Sequence, residues 1–322
     1  MWTALTIAGV LAAGFALYGA LALAAHAAGT PAWLLVAGAP ALYLVVLALF
    51  VASYFVLAWI FRARRPVEVR IGVGATVRLV WLEYWTLAGA ALRMLFYRAL
   101  VPEPPAAPAA LPVVLVHGVL CNAGVWARVV RFLRAQGVGP LYGLSYGPPL
   151  ASIELFAEQL DALIRRVRER TGAGDVMLVT HSMGGLVTLA YLRRHGGSSV
   201  RRWVAIGAPF AGSVHARGFV GVSLAQLRPG NAWLRALDPR APAGGPPVVS
   251  IWSWHDSMVT PQTSSRLPGA IDVPLAGVGH NALLREPAVL ERLLLEYRDA
   301  EGTGPARKLA SGDAAAVTSQ VS

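Results

Sequence analysis

The first 61 residues contain no aspartate, glutamate, lysine or arginine. This absence most restricts what the chain can fold into, because a water-facing surface of that length needs charged residues. The apolar run of residues 2–25 has about the 20 residues that cross a bilayer as a helix, and residues 33–61 form a second such run. A break at His26 and Pro31 separates them. We therefore predict a two-helix transmembrane hairpin over residues 1–61.

Two other interpretations of the first run fit less well. A secretory signal peptide would begin with a positively charged segment and would not be followed at once by a second hydrophobic run. A buried soluble hairpin is disfavoured by the complete lack of charge. Arg62, Arg64 and Arg65 follow the second run, and such residues favour the cytoplasmic side. Together with an arginine-rich, lysine-poor composition, this predicts a multi-pass protein of the bacterial inner membrane in which the rest of the chain lies in the cytoplasm.

Residues 62–111 are expected to join the hairpin to the rest of the chain. Residues 77–100 are apolar and aromatic but include Glu83 and Arg93, and central charges are costly in hydrocarbon. We predict a helix lying in the membrane interface. The alternative is a third span, which would place the catalytic domain in the periplasm. The proline- and alanine-rich stretch of residues 102–112 predicts a semi-rigid linker at a domain boundary.

The chain is strongly basic, with a formal charge of +11 at pH 7. Such a charge suits an anionic membrane surface or a nucleic acid. No nucleic-acid motif or dense basic cluster accompanies it, so the bilayer is the predicted partner and nucleic acid is not. The single cysteine, Cys121, excludes an internal disulfide and a multi-cysteine metal site.

From residue 112 onward, short apolar runs alternate with longer helical stretches, which predicts an α/β fold with a mostly parallel sheet covered by helices on both faces. The predicted strands are residues 112–116, 141–146, 176–179, 200–206, 248–252 and 271–274. The predicted helices include residues 123–136, 152–170 and 290–297. Residues 299–322 are rich in glycine, alanine and serine and are predicted to be a disordered tail.

A strand, a serine and a helix follow one another around residues 179–185, Val-Thr-His-Ser-Met-Gly-Gly. A tight turn between strand and helix would hold the hydroxyl of Ser182 above the sheet, and Gly184 supplies the small residue that a crowded turn needs. A serine before two glycines can also be an ordinary helix N-cap. Ser182 therefore needs partners elsewhere in the chain before it can be assigned as a nucleophile.

This arrangement resembles the nucleophile elbow of the α/β-hydrolases, whose pattern is Gly-x-Ser-x-Gly, with Thr180 replacing the first glycine. In that family an acid and then a histidine follow the serine along the chain. Asp256 follows the predicted strand of residues 248–252, and His280 lies in a glycine-rich loop after the last predicted strand. The resemblance implies a triad of Ser182, Asp256 and His280 that needs no metal or other cofactor. The competing interpretations are a turn residue at Asp256 and a surface histidine at His280.

The stretch Leu-Val-His-Gly-Val at residues 115–119 resembles the His-Gly loop that lines the oxyanion hole of bacterial lipases and esterases. The resemblance implies that the backbone N–H groups of Val119 and Met183 stabilise the oxyanion. His117 and Gly118 would support the loop. Cys121 lies close by in sequence, where packing is favoured over catalysis.

Residues 211–246 are expected to form an insertion before the strand that carries Asp256. Its apolar character suits a lid or an acyl-binding cap. A small helical subdomain with its own packing is the competing interpretation. The stretch just before it, residues 207–213, is similar to the Gly-x-Pro-His-x-Gly-Ser stretch of many lipases, with Phe210 in place of the histidine.

The resemblance covers residues 112–298 and implies an α/β-hydrolase of the lipase/esterase type behind an N-terminal transmembrane extension. It implies a serine hydrolase that cleaves carboxylic esters with acyl or lipid-like groups. The same triad serves thioesterases and acyltransferases, and a non-catalytic membrane scaffold with a degenerate hydrolase domain is the alternative from another class. The sequence leaves the oligomeric state open. The linker predicts that a chain starting near Pro102 keeps its catalytic core.

Overall fold

A sheet of six parallel strands forms the centre of the computed structural model, which describes residues 2–303. The strands lie side by side in the order β2-β1-β3-β4-β5-β6, and every neighbouring pair is parallel. This architecture confirms the predicted α/β fold class. The strand bounds are Val113–Val116 (β1), Leu141–Gly143 (β2), Val176–His181 (β3), Val200–Ile206 (β4), Val248–Ser253 (β5) and Ile271–Leu275 (β6).

Helices cover both faces of the sheet. Successive strand residues point to opposite sides, and both sides carry apolar side chains that must be buried. Val113 and Leu115 of β1 enter one core, and Val114 and Val116 enter the other. The helices are Trp2–Ala27 (α1), Ala32–Ile60 (α2), Val73–Ala88 (α3), Ala90–Leu95 (α4), Tyr97–Leu100 (α5), Ala127–Ala135 (α6), Ile153–Thr171 (α7), Gly184–His195 (α8), Val222–Gln226 (α9), Ala232–Leu237 (α10) and Pro287–Glu301 (α11). Helices α7 and α8 pack on one face, and α6 and α11 pack on the other.

The two N-terminal helices, α1 and α2, are long and apolar enough to cross a membrane by length and composition. Most of their side chains are exposed rather than packed in a core, with Val51 and Ala58 of α2 among the few that are buried. An exposed apolar surface of this extent is stable in lipid and unfavourable in water. The hairpin of residues 1–61 therefore remains a prediction that this geometry supports.

Residues 77–100 differ from the single interfacial helix that the sequence predicts. The chain breaks at Gly89 and again at Phe96, so it forms the short helices α3, α4 and α5. These helices pack against the α/β domain. The Nδ2 of the buried Asn122 donates to the carbonyl of Met94 at 2.8 Å, and a Cβ at Gly124 would collide with the backbone of Arg93.

The insertion of residues 211–246 contains the short helices α9 and α10. Leu224 and Leu227 of this segment, with Leu234 and Leu237, are buried in the same core as α7 and α8. Val220, by contrast, is 89% exposed, and Phe219 and Val222 beside it are also exposed. The insertion thus shares the core of α7 and α8 and has one exposed apolar loop. The closing helix α11 ends at Glu301, within the predicted tail that begins at residue 299; the tail from residue 304 lies outside the described residues.

Candidate active site

The predicted catalytic residues meet at one edge of the sheet, where the carboxyl ends of its parallel strands lie together. Ser182 directly follows β3, Asp256 follows β5 by three residues, and His280 lies in the loop after β6. His117 and Gly118 follow β1, the strand next to β3. In open α/β sheets the carboxyl ends of the strands are where ligands bind. The fold therefore brings residues that are far apart in sequence to one side of the molecule.

Ser182 occupies a strained turn between β3 and α8. Its φ is +56°, in the left-handed region that residues with side chains rarely adopt. The amide of Ser182 donates to the carbonyl of Ile206 at 2.9 Å, which ties the turn to the neighbouring strand. Gly184 is needed behind it, because a Cβ there would lie 2.7 Å from the carbonyl oxygen of His117. This is the geometry of a nucleophile elbow, with the serine held at the edge of the sheet.

His280 and Asp256 form a buried pair. The Nδ1 of His280 lies 2.8 Å from Oδ2 of Asp256, and the two side chains are 3% and 1% exposed. The other carboxylate oxygen of Asp256 accepts hydrogen bonds from the amides of Met258 and Val259, at 2.8 and 2.7 Å. These amides orient the carboxylate towards the imidazole. Burial opposes protonation of His280, but the charge and the hydrogen bond of Asp256, aided by the charge of Glu83, raise its pKa above the ordinary value.

His181 separates the serine turn from the His280 loop. Its Nε2 lies 3.2 Å from the carbonyl oxygen of His280, and the two rings are 4.7 Å apart between centroids. Burial, and then the nearby His280, hold the pKa of His181 well below its usual range, so it is a neutral packing residue. The hydroxyl of Ser182 makes no hydrogen bond to the His280 ring among the described residues. Such catalytic hydrogen bonds are often long in unliganded sites and tighten when substrate binds.

The loop after β1 presents its backbone to Ser182. A Cβ on Gly118 would lie 2.7 Å from the Cβ of Ser182, so only glycine permits this approach. His117 makes a hydrogen bond through Nδ1 to the carbonyl of Gly118 at 2.9 Å, and the Tyr146 hydroxyl donates to the carbonyl of His117 at 2.6 Å. Tyr146 was not predicted from the sequence, since nothing in its own surroundings marks it.

Two backbone amides beside Ser182 are without an acceptor. Neither the N–H of Val119 nor that of Met183 donates to a group in the described part of the chain. Both belong to the turns that follow β1 and β3, on either side of the serine. A pair of free amides next to a nucleophile is what an oxyanion hole requires.

Glu83 of α3 is a site residue that the sequence does not predict. Its side chain is 1% exposed and accepts hydrogen bonds from four groups. The donors are the Ser257 hydroxyl at 3.1 Å, the Asn281 amide at 3.0 Å, the Asn281 side chain at 2.8 Å and the Ala282 amide at 2.9 Å. Ser257 is adjacent to Asp256, and Asn281 is adjacent to His280. One carboxylate from the N-terminal segment therefore holds both loops of the acid–base pair. The one sequence feature that could have pointed to Glu83 was its charge within an otherwise apolar predicted helix.

The two long helices also touch this edge of the hydrolase domain. The hydroxyl of Thr3 in α1 donates to the carbonyl of Cys121, at the far end of the Gly118 loop, at 2.9 Å. The ring of Tyr54 in α2 stacks on His215 in the insertion, with centroids 4.8 Å apart. Cys121 is a packing residue, since burial raises the pKa of its thiol to about 12. The N-terminal segment thus approaches the site from several sides.

Comparisons with known proteins agree with this fold. Residues 112–270 match the family described as the alpha/beta hydrolase fold. Lipase B of Aspergillus fumigatus is 22% identical with a TM-score of 0.51, over 56% of this chain and 51% of the lipase. The mature lipase BlEst2 of Bacillus licheniformis is 17% identical with a TM-score of 0.51, over 60% of this chain and 94% of the lipase. This chain thus spans about half the length of the Aspergillus lipase. Residues 112–270 therefore have the alpha/beta hydrolase fold that the sequence predicts, and the two lipases share that fold.

Proposed function

We propose that this α/β-hydrolase is a membrane-anchored serine hydrolase that cleaves carboxylic esters with acyl or lipid-like groups. The observation that carries the proposal is the meeting of three features at one sheet edge. They are a serine with φ of +56°, two free backbone amides beside it, and a buried His280–Asp256 pair. Each feature has a separate task in acyl transfer.

The reaction begins at the hydroxyl of Ser182. Its oxygen forms a bond to the ester carbonyl carbon while Nε2 of His280 takes the hydroxyl proton. The carbonyl electron pair moves onto oxygen, and the amides of Val119 and Met183 stabilise that negative charge. When the pair returns, the bond to the alcohol breaks and His280 gives its proton to the leaving oxygen. Water then attacks the acyl-serine by the same route and releases the acid.

Asp256 keeps His280 ready for this proton transfer. Its Oδ2, 2.8 Å from Nδ1 of His280, accepts a hydrogen bond from the N–H at that nitrogen, so the proton stays on Nδ1. The lone pair of the imidazole is therefore on Nε2, the nitrogen available to Ser182. The same carboxylate stabilises the imidazolium that forms during the reaction. Glu83 is a positioning residue in this scheme, because it touches the loops that carry Asp256 and His280 rather than the reacting atoms.

The proposed lipid-like substrate rests on where apolar surface lies. The long helices α1 and α2 suit a bilayer, and both contact the edge of the domain that carries Ser182. Leu120 in the oxyanion loop and Val220 in the insertion are exposed apolar residues on the hydrolase domain. A membrane held against this edge would supply amphiphilic esters directly to the site.

The test is covalent labelling with a fluorophosphonate probe together with hydrolysis of p-nitrophenyl esters of increasing acyl length. We expect the full chain to be labelled and to hydrolyse esters, and Ser182→Ala to lose both. Ser198→Ala, at an exposed position of the same domain, is the matched control and should behave as wild type. Thioester hydrolysis exceeding that of the oxygen ester of equal length would favour the thioesterase alternative. Equal labelling of Ser182→Ala and wild type would refute the proposal.

A further inference from the structure

A second cavity lies where α2 ends and the hydrolase domain begins. It has a volume of about 950 Å³ and lies between the end of α2, the segment of residues 61–72, α3 and the loop after β5. We call it the arginine cavity, after Arg62, Arg64, Arg65 and Arg70, which line it. Its size is within the upper range of small-molecule sites. Ser182 does not line it, but Asp256 of the proposed triad does, so the cavity borders the proposed reaction site on the side of the acid.

The walls of the arginine cavity are divided by polarity. Phe55, Val56 and Trp59 of α2 and Leu79 and Val80 of α3 provide apolar side chains. The four arginines follow directly on the end of α2 at Ile60. The guanidinium of Arg62 lies 5.0 Å from the centroid of the Trp59 ring, so the apolar wall and the charged wall of the cavity meet at that pair. A ligand that fills this space needs an apolar part and a charged part.

The positive charge of the arginine cavity has no counter-charge within the described residues. None of Arg62, Arg64, Arg65 and Arg70 forms an ion pair there. The buried Arg202, for comparison, is paired with both Glu296 and Asp299. The acidic side chain that lines the cavity, Asp256, is already bound to His280 and two backbone amides.

Arg65 has a donor group that is free to bind an anion. Its Nε is buried and has no hydrogen-bond partner. Burial, together with the nearby charge of Arg62, lowers the pKa of its guanidinium. A buried donor without an acceptor, beside a second cation, is costly unless an anion binds there. Arginine guanidinium groups bind phosphate oxygens through paired N–H donors, so phosphate chemistry fits this position.

We propose that the arginine cavity binds the headgroup phosphate of an anionic phospholipid, with the acyl chains lying along α2 and α3. The inference rests on the membrane attachment put forward above and does not depend on ester hydrolysis. Arginines directly beyond a transmembrane helix lie at the depth of lipid phosphates. Because His255 and Asp256 line the cavity floor, the bound lipid also packs against the loop that carries the triad acid.

The experiment measures lipid retained by the full chain in a neutral detergent, using native mass spectrometry. A Ser182→Ala background prevents turnover, so the result is independent of whether the protein is an esterase. The chain is equilibrated with dioleoyl phosphatidylglycerol or with dioleoyl phosphatidylcholine. We expect phosphatidylglycerol to be retained about tenfold more strongly, and Arg62→Gln with Arg65→Gln to abolish that preference. Arg166→Gln with Arg298→Gln is the matched control, since it removes equal charge far from the cavity and should keep the preference.

Three results would overturn the inference. The first is equal retention of the two lipids, and the second is an unchanged preference in the Arg62 and Arg65 double variant. The third is full displacement of the lipid by glycerol 3-phosphate, which would mean a site for a soluble anion. If the double variant does not fold, Arg64→Gln with Arg70→Gln replaces it, because both side chains are exposed. Loss of the preference in that variant supports the inference, and its persistence contradicts it.

Discussion

Nδ1 of His280 lies 2.8 Å from Oδ2 of Asp256 at a depth where both side chains are 97% or more shielded from solvent. Water cannot compete for either group at that depth, so the pair keeps one tautomer and one orientation. Asp256 is held by the amides of Met258 and Val259, and the His280 loop is held by Glu83. The proposed base is thus positioned through groups on both sides.

Ser182 and His280 are expected to act as one unit. His280→Ala should lower kcat by several orders of magnitude, because it removes the proposed base that takes the serine proton. Adding Ser182→Ala should cost little more, since either change alone removes the nucleophilic route. Single-turnover ester hydrolysis of the three variants measures this. Independent losses that multiply in the double variant would contradict the assignment.

The pH dependence of kcat/KM should report the ionisation of His280. The base must be neutral, and its pKa is raised above the ordinary value, so kcat/KM should fall as pH falls through that raised pKa. Glu83→Gln removes one of the charges that raise this pKa, so the acid limb should move to lower pH. His181 stays neutral throughout, because its pKa is well below the usual range.

The exposed Glu291→Gln is the control for that experiment, since it removes the same charge from the surface of α11. Its profile should coincide with that of wild type. An acid limb in Glu83→Gln that stays in place or moves to higher pH would argue against His280 as the titrating base.

Gly118→Ala should impair catalysis through the nucleophile itself. The new methyl group would lie 2.7 Å from the Cβ of Ser182, so the loop or the serine must move, and the Val119 amide moves with it. Loss of one oxyanion donor costs about 100- to 1,000-fold in kcat. Gly174→Ala is the matched control, because a Cβ there meets nothing within 4 Å. Normal labelling rates in Gly118→Ala would show that the loop is not where the oxyanion forms.

Removing the N-terminal segment should inactivate the hydrolase domain. The linker alone predicts that a chain starting near Pro102 keeps its catalytic core. The structure changes that expectation, because such a chain loses Glu83, and the four donors at the His280 and Asp256 loops lose the acceptor that fixes their positions.

The full chain carrying Glu83→Ala is the companion variant for that shortened chain. It should stay in the membrane fraction, with a KM close to that of wild type. Its kcat should fall, because the reacting groups remain but are no longer held at their catalytic spacing. Fluorophosphonate labelling rates compare the two proteins with wild type. Wild-type labelling of the shortened chain would show that the hydrolase domain assembles its site alone.

The catalytic domain is predicted to face the cytoplasm. Arg62, Arg64 and Arg65 follow α2 directly, within the distance over which positive charges set orientation. Reporter fusions after Phe61, after Pro102 and at the C-terminus test this. Alkaline phosphatase should be inactive at all three positions. Activity at the last two alone would mean a third crossing and a periplasmic site.

Local pattern was sufficient to predict the fold. The strands are apolar runs between turn residues. β4 therefore has the predicted bounds, and β3 continues past its predicted end at residue 179 to His181. Chain order within the family then singled out Asp256 and His280, and the fold brings these two into contact. The break at Gly89, which divides the expected interfacial helix, depends on the packing of α3 and α4 against the hydrolase domain.

Glu83 could not be assigned from sequence for a related reason. In the sequence, its charge indicates only how deep the helix lies in a bilayer. Its role at the site depends on hydrogen-bond partners that lie far along the chain. The arginine cavity could not be predicted from sequence either. Arginines that are neighbours in sequence predict the same membrane orientation whether or not they line a cavity. Contacts between the N-terminal segment and the last third of the chain become visible only in three dimensions.

The hydrogen bond from Asn281 to Glu83 joins residues 198 positions apart, which has a consequence for how the protein is made. A ribosome releases Glu83 with the membrane helices long before it synthesises the loops that this carboxylate will hold. The nascent chain therefore carries its serine in an unfinished site throughout translation and insertion. Under the proposed function, hydrolytic competence would arrive only at the end of biogenesis, when the last strands reach α3. A ribosome stalled before residue 280 would then leave a chain without its proposed base, and no unregulated hydrolase.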